Sequence, residues 1–167
     1  MRVDQRDFMK TVIELIVYCG IFTLLVKVFA GNDPLNCLYF YPKEVQERVY
    51  ELGLTDREAV KKKKKMFLII FTSAMLMVLL VIIRFINRTD DYWQAYWQAL
   101  LFLEVMNVYD GVVIDKIWVG YDRFWLIDEV KDIPYIQSWK QVFRKRSILA
   151  FIWVLGSFIV AGLVILI

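Results

Sequence analysis

Four stretches of this chain are apolar for long enough to cross a bilayer, and nothing else in the sequence limits its fold as strongly. A spanning helix needs about 20 mostly apolar residues. Residues 9–30 form one such run, interrupted by Glu14 and Lys27. Residues 66–86 form the clearest, with Arg84 near its end, and residues 148–167 are apolar apart from Ser157. The fourth, 93–118, carries Glu104, Asp110 and Asp115 but has a suitable length and tryptophans near both ends, where interfacial aromatics belong. Hydrophobic residues make up 59% of the chain, above the roughly 45–50% of soluble domains, and they are gathered in these runs. The expected fold is all-α: a single transmembrane domain of four helices, joined by two long loops (31–65 and 119–146) and one short connection.

Lysine and arginine set the expected orientation. Loop 31–65 holds eight of them and loop 119–146 holds six, whereas the connection after residue 86 holds only Arg88 and the tail before Met9 holds Arg2 and Arg6. Both long loops are therefore expected in the cytoplasm, with the termini and the short connection outside. A multi-pass protein of a plasma membrane, bacterial in character, is the corresponding location. The first run does not read as a signal peptide, because Asp4 and Asp7 interrupt a basic leader and Glu14 interrupts the apolar core. The sequon Asn87-Arg88-Thr89 lies too close to the membrane to read as a used glycosylation site.

The long loops are expected to carry short amphipathic helices. Pro42 suits a helix start, Val45, Val49 and Leu52 follow at helical spacing, and Gly53 suits the stop. Thr55 and Glu58 then read as a capping box for a helix running from Asp56 through Lys61, Lys62, Lys63, Lys64 and Lys65 into the second span. Those lysines, with Arg144, Lys145 and Arg146 before the fourth span, are expected at the lipid surface, where anionic headgroups are the natural partners. They also anchor topology. A nucleic-acid role is not expected, because the lysine run joins a membrane helix and lacks interleaved aromatics. After Pro134, the residues Tyr135, Ile136, Trp139, Val142 and Phe143 share a helical face opposite Lys140, Gln141, Arg144 and Lys145, as in a helix lying at headgroup level.

The third span holds the residues most expensive to place in lipid. At about 100° per residue, Trp93, Trp97, Glu104, Asn107, Gly111, Asp115, Trp118 and Asp122 fall in one stripe, and Asp110 lies on another flank. An acidic side chain at mid-bilayer costs about 2.5–3.5 kcal/mol, so this face should turn inward. Depth matching suggests an ion pair of Lys27 with Asp115 and another of Glu14 with Arg84. Glu104 has no basic residue at its depth, so desolvation favours its neutral form, with Ser157 or Ser73 as hydrogen-bond partners.

Three classes of function follow. The leading one is a non-catalytic scaffold or subunit, with a membrane-protein partner or a second copy of itself. A second is a Mg²⁺-dependent enzyme acting on lipid headgroups at the cytoplasmic face, with Asp110 and Asp115 as candidate metal ligands. Here the chain resembles the CDP-alcohol phosphotransferase signature at Asp110, Gly111, Asp128 and Asp132. It departs from that signature at Asn107, at Ile114-Asp115 and at Phe124, so the resemblance implies no membership. The third is a proton- or cation-coupled transporter centred on Glu104, similar in outline to small multidrug transporters. The complete lack of histidine excludes His-based zinc sites, His-ligated haem and Ser-His or Cys-His nucleophile pairs, and the two cysteines, Cys19 and Cys37, cannot supply a disulfide framework.

Overall fold

A computed structural model describes residues 5–167. Arg2 and Asp4, which entered the charge reading of the N-terminal tail, lie outside the described residues. The chain folds into four long helices, each long and apolar enough to span a membrane: α1 (Gln5–Ala30), α3 (Arg57–Ile86), α4 (Tyr92–Tyr121) and α5 (Trp139–Leu166). A short helix, α2 (Lys43–Glu51), lies in the first long loop. Large apolar side chains point outward on every long helix, among them Ile16 and Leu24, Ile69 and Met77, Val108, and Phe151 and Leu155. Water would not tolerate so much apolar surface, but hydrocarbon does.

The inner faces follow helical spacing. On α1, Tyr18, Phe22, Val26 and Ala30 form one buried row. Tyr18 meets Phe102 edge-on at 5.5 Å, and Phe22 meets Phe71 at 5.1 Å. The most extensive packing is between α4 and α5. Their inner faces carry small residues, Ala95 and Ala99 on α4 and Ser157 and Ala161 on α5, all fully buried, and small side chains let membrane helices approach closely. By contrast α3 and α5 touch little, and a gap opens between them.

Both long loops lie at one end of the bundle, the loop end. The Tyr41 hydroxyl of the first loop donates to the Trp125 carbonyl of the second at 2.8 Å. Burial raises the Tyr41 phenol and the Cys37 thiol above their ordinary pKa values. The α2 helix buries Val45 and Val49 completely and ends at Gly53, whose φ of +69° is a conformation that glycine adopts without strain. Leu52, placed on the apolar face by spacing, is 42% exposed.

Two boundaries differ from expectation. The residue capping α3 is Asp56, whose carboxylate accepts from the Ala59 amide at 2.8 Å, rather than Thr55. In the second loop no separate amphipathic helix forms. Ser138 and Gln141 make a capping box that opens α5 directly, so Trp139 to Phe143 are the first turns of the long helix. Trp139 and Phe143 are exposed while Val142 is buried, which places the rings on the outer surface of α5.

Two segments of the long helices are π-helical: Val81–Ile86 at the end of α3 and Asp110–Trp118 within α4. Such i→i+5 segments are rare and are frequent at functional sites. Each lies beside a cluster of polar side chains.

Candidate functional site

The larger cluster joins α4 to α5 near the loop end. In an α-helix, residues five apart point well away from each other. The π segment starting at Asp110 closes i→i+5 turns and brings Asp110 and Asp115 to the same side. Both carboxylates bind the guanidinium of Arg146, Asp110 through Nη1 and Asp115 through Nη2. The Lys145 ammonium adds a looser contact to Asp115 at 3.5 Å. The Arg146 side chain is only 10% exposed, and the carboxylates are 24% and 15% exposed. Arginine suits this position because its planar fork can serve two acceptors at fixed angles.

Gly111 makes room for this arrangement. A Cβ there would sit 3.0 Å from Arg146 Cγ and Nε, so even a methyl group would require the arginine side chain to shift by a few tenths of an ångström. Asn107 completes the join by donating its side-chain amide to the Arg146 carbonyl at 3.0 Å and to Glu104 at 3.4 Å. Thus Asn107, Gly111, Asp110 and Asp115 hold α4 against one residue of α5.

Several expected pairings are replaced. Asp110 is not on a separate flank from Asp115; the π geometry unites them. Lys27 is exposed and does not pair with Asp115, whose partners are Lys145 and Arg146. Arg146 was expected at the lipid surface and is instead buried inside the bundle. A signal for this exists in the sequence. Arg146 stands eleven residues before the buried Ser157, close to three helical turns, and so on the same face of α5. Among the described residues Glu104 receives only the Asn107 contact, and its other oxygen is buried without a hydrogen-bond partner. Ser157 donates to its own helix at the Trp153 carbonyl, at 2.7 Å, and Ser73 is exposed on α3, so neither serine reaches Glu104. Asp122 is a local turn residue, accepting from the Phe124 amide and the Trp118 indole, both at 3.0 Å. Trp93 and Trp97 are exposed, so the expected stripe divides between an outer aromatic part and an inner polar part.

The basic residues at the loop end fall into two groups. Lys61 pairs with Glu58 at 3.9 Å, and Lys63 donates to Asn36 at 2.8 Å. Lys62, Lys64, Lys65 and Arg144 are exposed on the surface.

The smaller cluster, at the opposite end, ties α1, α3 and α4 together. Buried Glu14 pairs with Lys10 at 3.7 Å and accepts from the Asn87 amide at 3.1 Å. It does not pair with Arg84, which instead reaches the Thr89 carbonyl at 3.4 Å. Asn87 also donates to Gln98 at 3.0 Å, and Gln98 donates to the Thr89 hydroxyl at 2.9 Å. The sequon residues therefore act as structural hydrogen-bonding groups. Asn87 has its amide engaged twice, and Thr89 is 1% exposed.

Between the helices lies a cavity of about 370 Å³. Its walls are mostly apolar, from α1, α3, α4 and α5, and its loop end is polar, with Asn107, Asp110, Asp115, Gln137, Lys145 and Arg146. Periodicity could not have revealed it, because a gap depends on how far apart two helices stand. Among the described residues no group of three or more His, Cys, Asp or Glu is arranged to hold a metal ion. No protein-family model, no curated protein and no solved structure matches this chain.

Proposed function

We propose that this protein is an integral membrane scaffold or subunit without chemistry of its own, and that the charges of α4 serve to lock that helix onto α5. The observation that carries this reading is the engagement of both Asp110 and Asp115 by a single buried arginine. One oxygen of each carboxylate is taken by the guanidinium, and the fixed positive charge of Arg146 between them opposes the approach of a divalent cation. Its orientation on the membrane follows the distribution of Lys and Arg, with the loop end cytoplasmic. Transport coupled to Glu104 finds less support, since Glu104 bonds to Asn107 and is not part of the cavity wall.

Thermal unfolding in detergent, with and without Mg²⁺, tests the reading on the wild type and on Asp110→Asn/Asp115→Asn. The proposed lock predicts midpoints that do not respond to Mg²⁺ in either protein. A rise with Mg²⁺ in the wild type that the double variant lacks would reverse the assignment in favour of a metal centre. For orientation, a version lacking Cys19 and Cys37 should accept an impermeant label at Asp90→Cys from outside intact cells and refuse it at Glu58→Cys. Extraction from native membranes in mild detergent should yield an assembly larger than one chain, and a monomer alone would remove the scaffold role.

A further inference from the structure

The cavity has a shape and a charge pattern that the helix lock does not require. It occupies the gap between α3 and α5, walled by Phe71, Met75 and Leu79 on one side and Trp153 and Ile159 on the other, with Met106 of α4 behind. Its volume of about 370 Å³ lies within the range of ligand sites and far above the voids that close-packed interiors retain. Between two helices in a bilayer, the molecule available to fill such a gap is a lipid chain.

The polar end of the cavity selects among lipids. Asp110 and Asp115 both turn an oxygen to Arg146, so the carboxylates there face a fixed guanidinium that competes with a choline or ethanolamine. Lys145 lines the same end with its side chain 42% exposed, held only by the 3.5 Å contact that Asp115 shares with Arg146. Arg144, next to Lys145 in α5, and Lys64 and Lys65, in the first turns of α3, are exposed. The two aspartates and two bases of the lining balance, so the exposed bases on α3 and α5 decide the sign of the surrounding surface.

We propose that the gap between α3 and α5 is a binding site for one acyl chain of an anionic phospholipid, whose phosphate is received by Lys145. The proposal rests on the helices lying in a bilayer, which resistance of the membrane-bound protein to alkaline extraction tests separately.

The test is titration of the delipidated full chain in detergent with phosphatidylglycerol or phosphatidylcholine, followed by native mass spectrometry. The wild type should retain one phosphatidylglycerol molecule in preference to phosphatidylcholine. Lys145→Gln should weaken that preference about fivefold, the worth of one basic residue near anionic lipid. It should leave the melting midpoint near that of the wild type, because Arg146 still holds Asp115. Gly156→Leu, which projects into the gap, should reduce binding of both lipids. Equal retention of the two lipids by the wild type would overturn the proposal, as would an unchanged preference in Lys145→Gln. Displacement of the lipid by inorganic phosphate alone would show an anion site without a chain site and would likewise overturn it. So would a tightly bound apolar helix of another protein filling the gap in place of lipid.

Discussion

The two ends of the helix bundle solve the same problem with different chemistry. At the loop end, α4 and α5 are joined by full charges: two aspartates on one arginine, with Lys145 alongside. At the opposite end, α1, α3 and α4 are joined mainly by amides and hydroxyls, with Asn87 and Gln98 at the centre and Glu14 as the one buried charge among the described residues there. Each cluster borders a π-helical segment, Asp110–Trp118 or Val81–Ile86. A widened turn changes which side chains share a face, so it can gather polar groups that an α-helix would scatter. The difference lies in what happens when one member is lost. An amide left behind can rotate or find water, whereas a buried charge left alone remains costly.

The sharpest way to break this contrast is to remove Arg146. Arg146→Met strands Asp110 and leaves Asp115 with only the looser Lys145 contact, and it should lower stability by about 3–5 kcal/mol. Adding Asp110→Asn and Asp115→Asn should restore most of the loss. Denaturation in detergent micelles measures both, and a triple variant no more stable than the single one would contradict the charge account. Next in size is Gly111→Ala, where the new methyl group meets Arg146 at 3.0 Å. Overpacking of this kind costs about 1–3 kcal/mol. The penalty should shrink in an Arg146→Met background, and an equal penalty there would place its origin elsewhere in α4.

At the opposite end, Asn87→Ala removes two hydrogen bonds and should cost about 1–2 kcal/mol, less than Arg146→Met in the same assay. A loss as large as that of the arginine variant would erase the distinction between the ends. Smallest of all, Glu104→Gln should stay within about 0.5 kcal/mol of the wild type, because glutamine keeps the shape and can still accept from Asn107. A large loss would mean that Glu104 makes more than the single contact to Asn107.

The four long helices were legible in the sequence because span length and apolar composition are local properties, set by the bilayer thickness a helix must match. The helix α2 and its glycine stop were legible for the same reason: spacing and turn chemistry act within a few residues. The polar residues of α4 could be recognised as costly one by one, since the penalty for a charge in hydrocarbon needs no knowledge of neighbours. Their partners could not. A regular 100° wheel separated Asp110 from Asp115, and depth matching offered Lys27, because neither method represents a change of helical pitch or the lateral position of α5. Arg146 reaches both aspartates only because Gly111 leaves it space and α5 packs closely on α4. The gap between α3 and α5 is likewise a property of where helices stand. Sequence determined that this chain makes apolar helices with a few expensive polar groups. Tertiary packing decided which of those groups meet, since the free energy of a buried charge depends on the geometry of its partner and not on its own position in the chain.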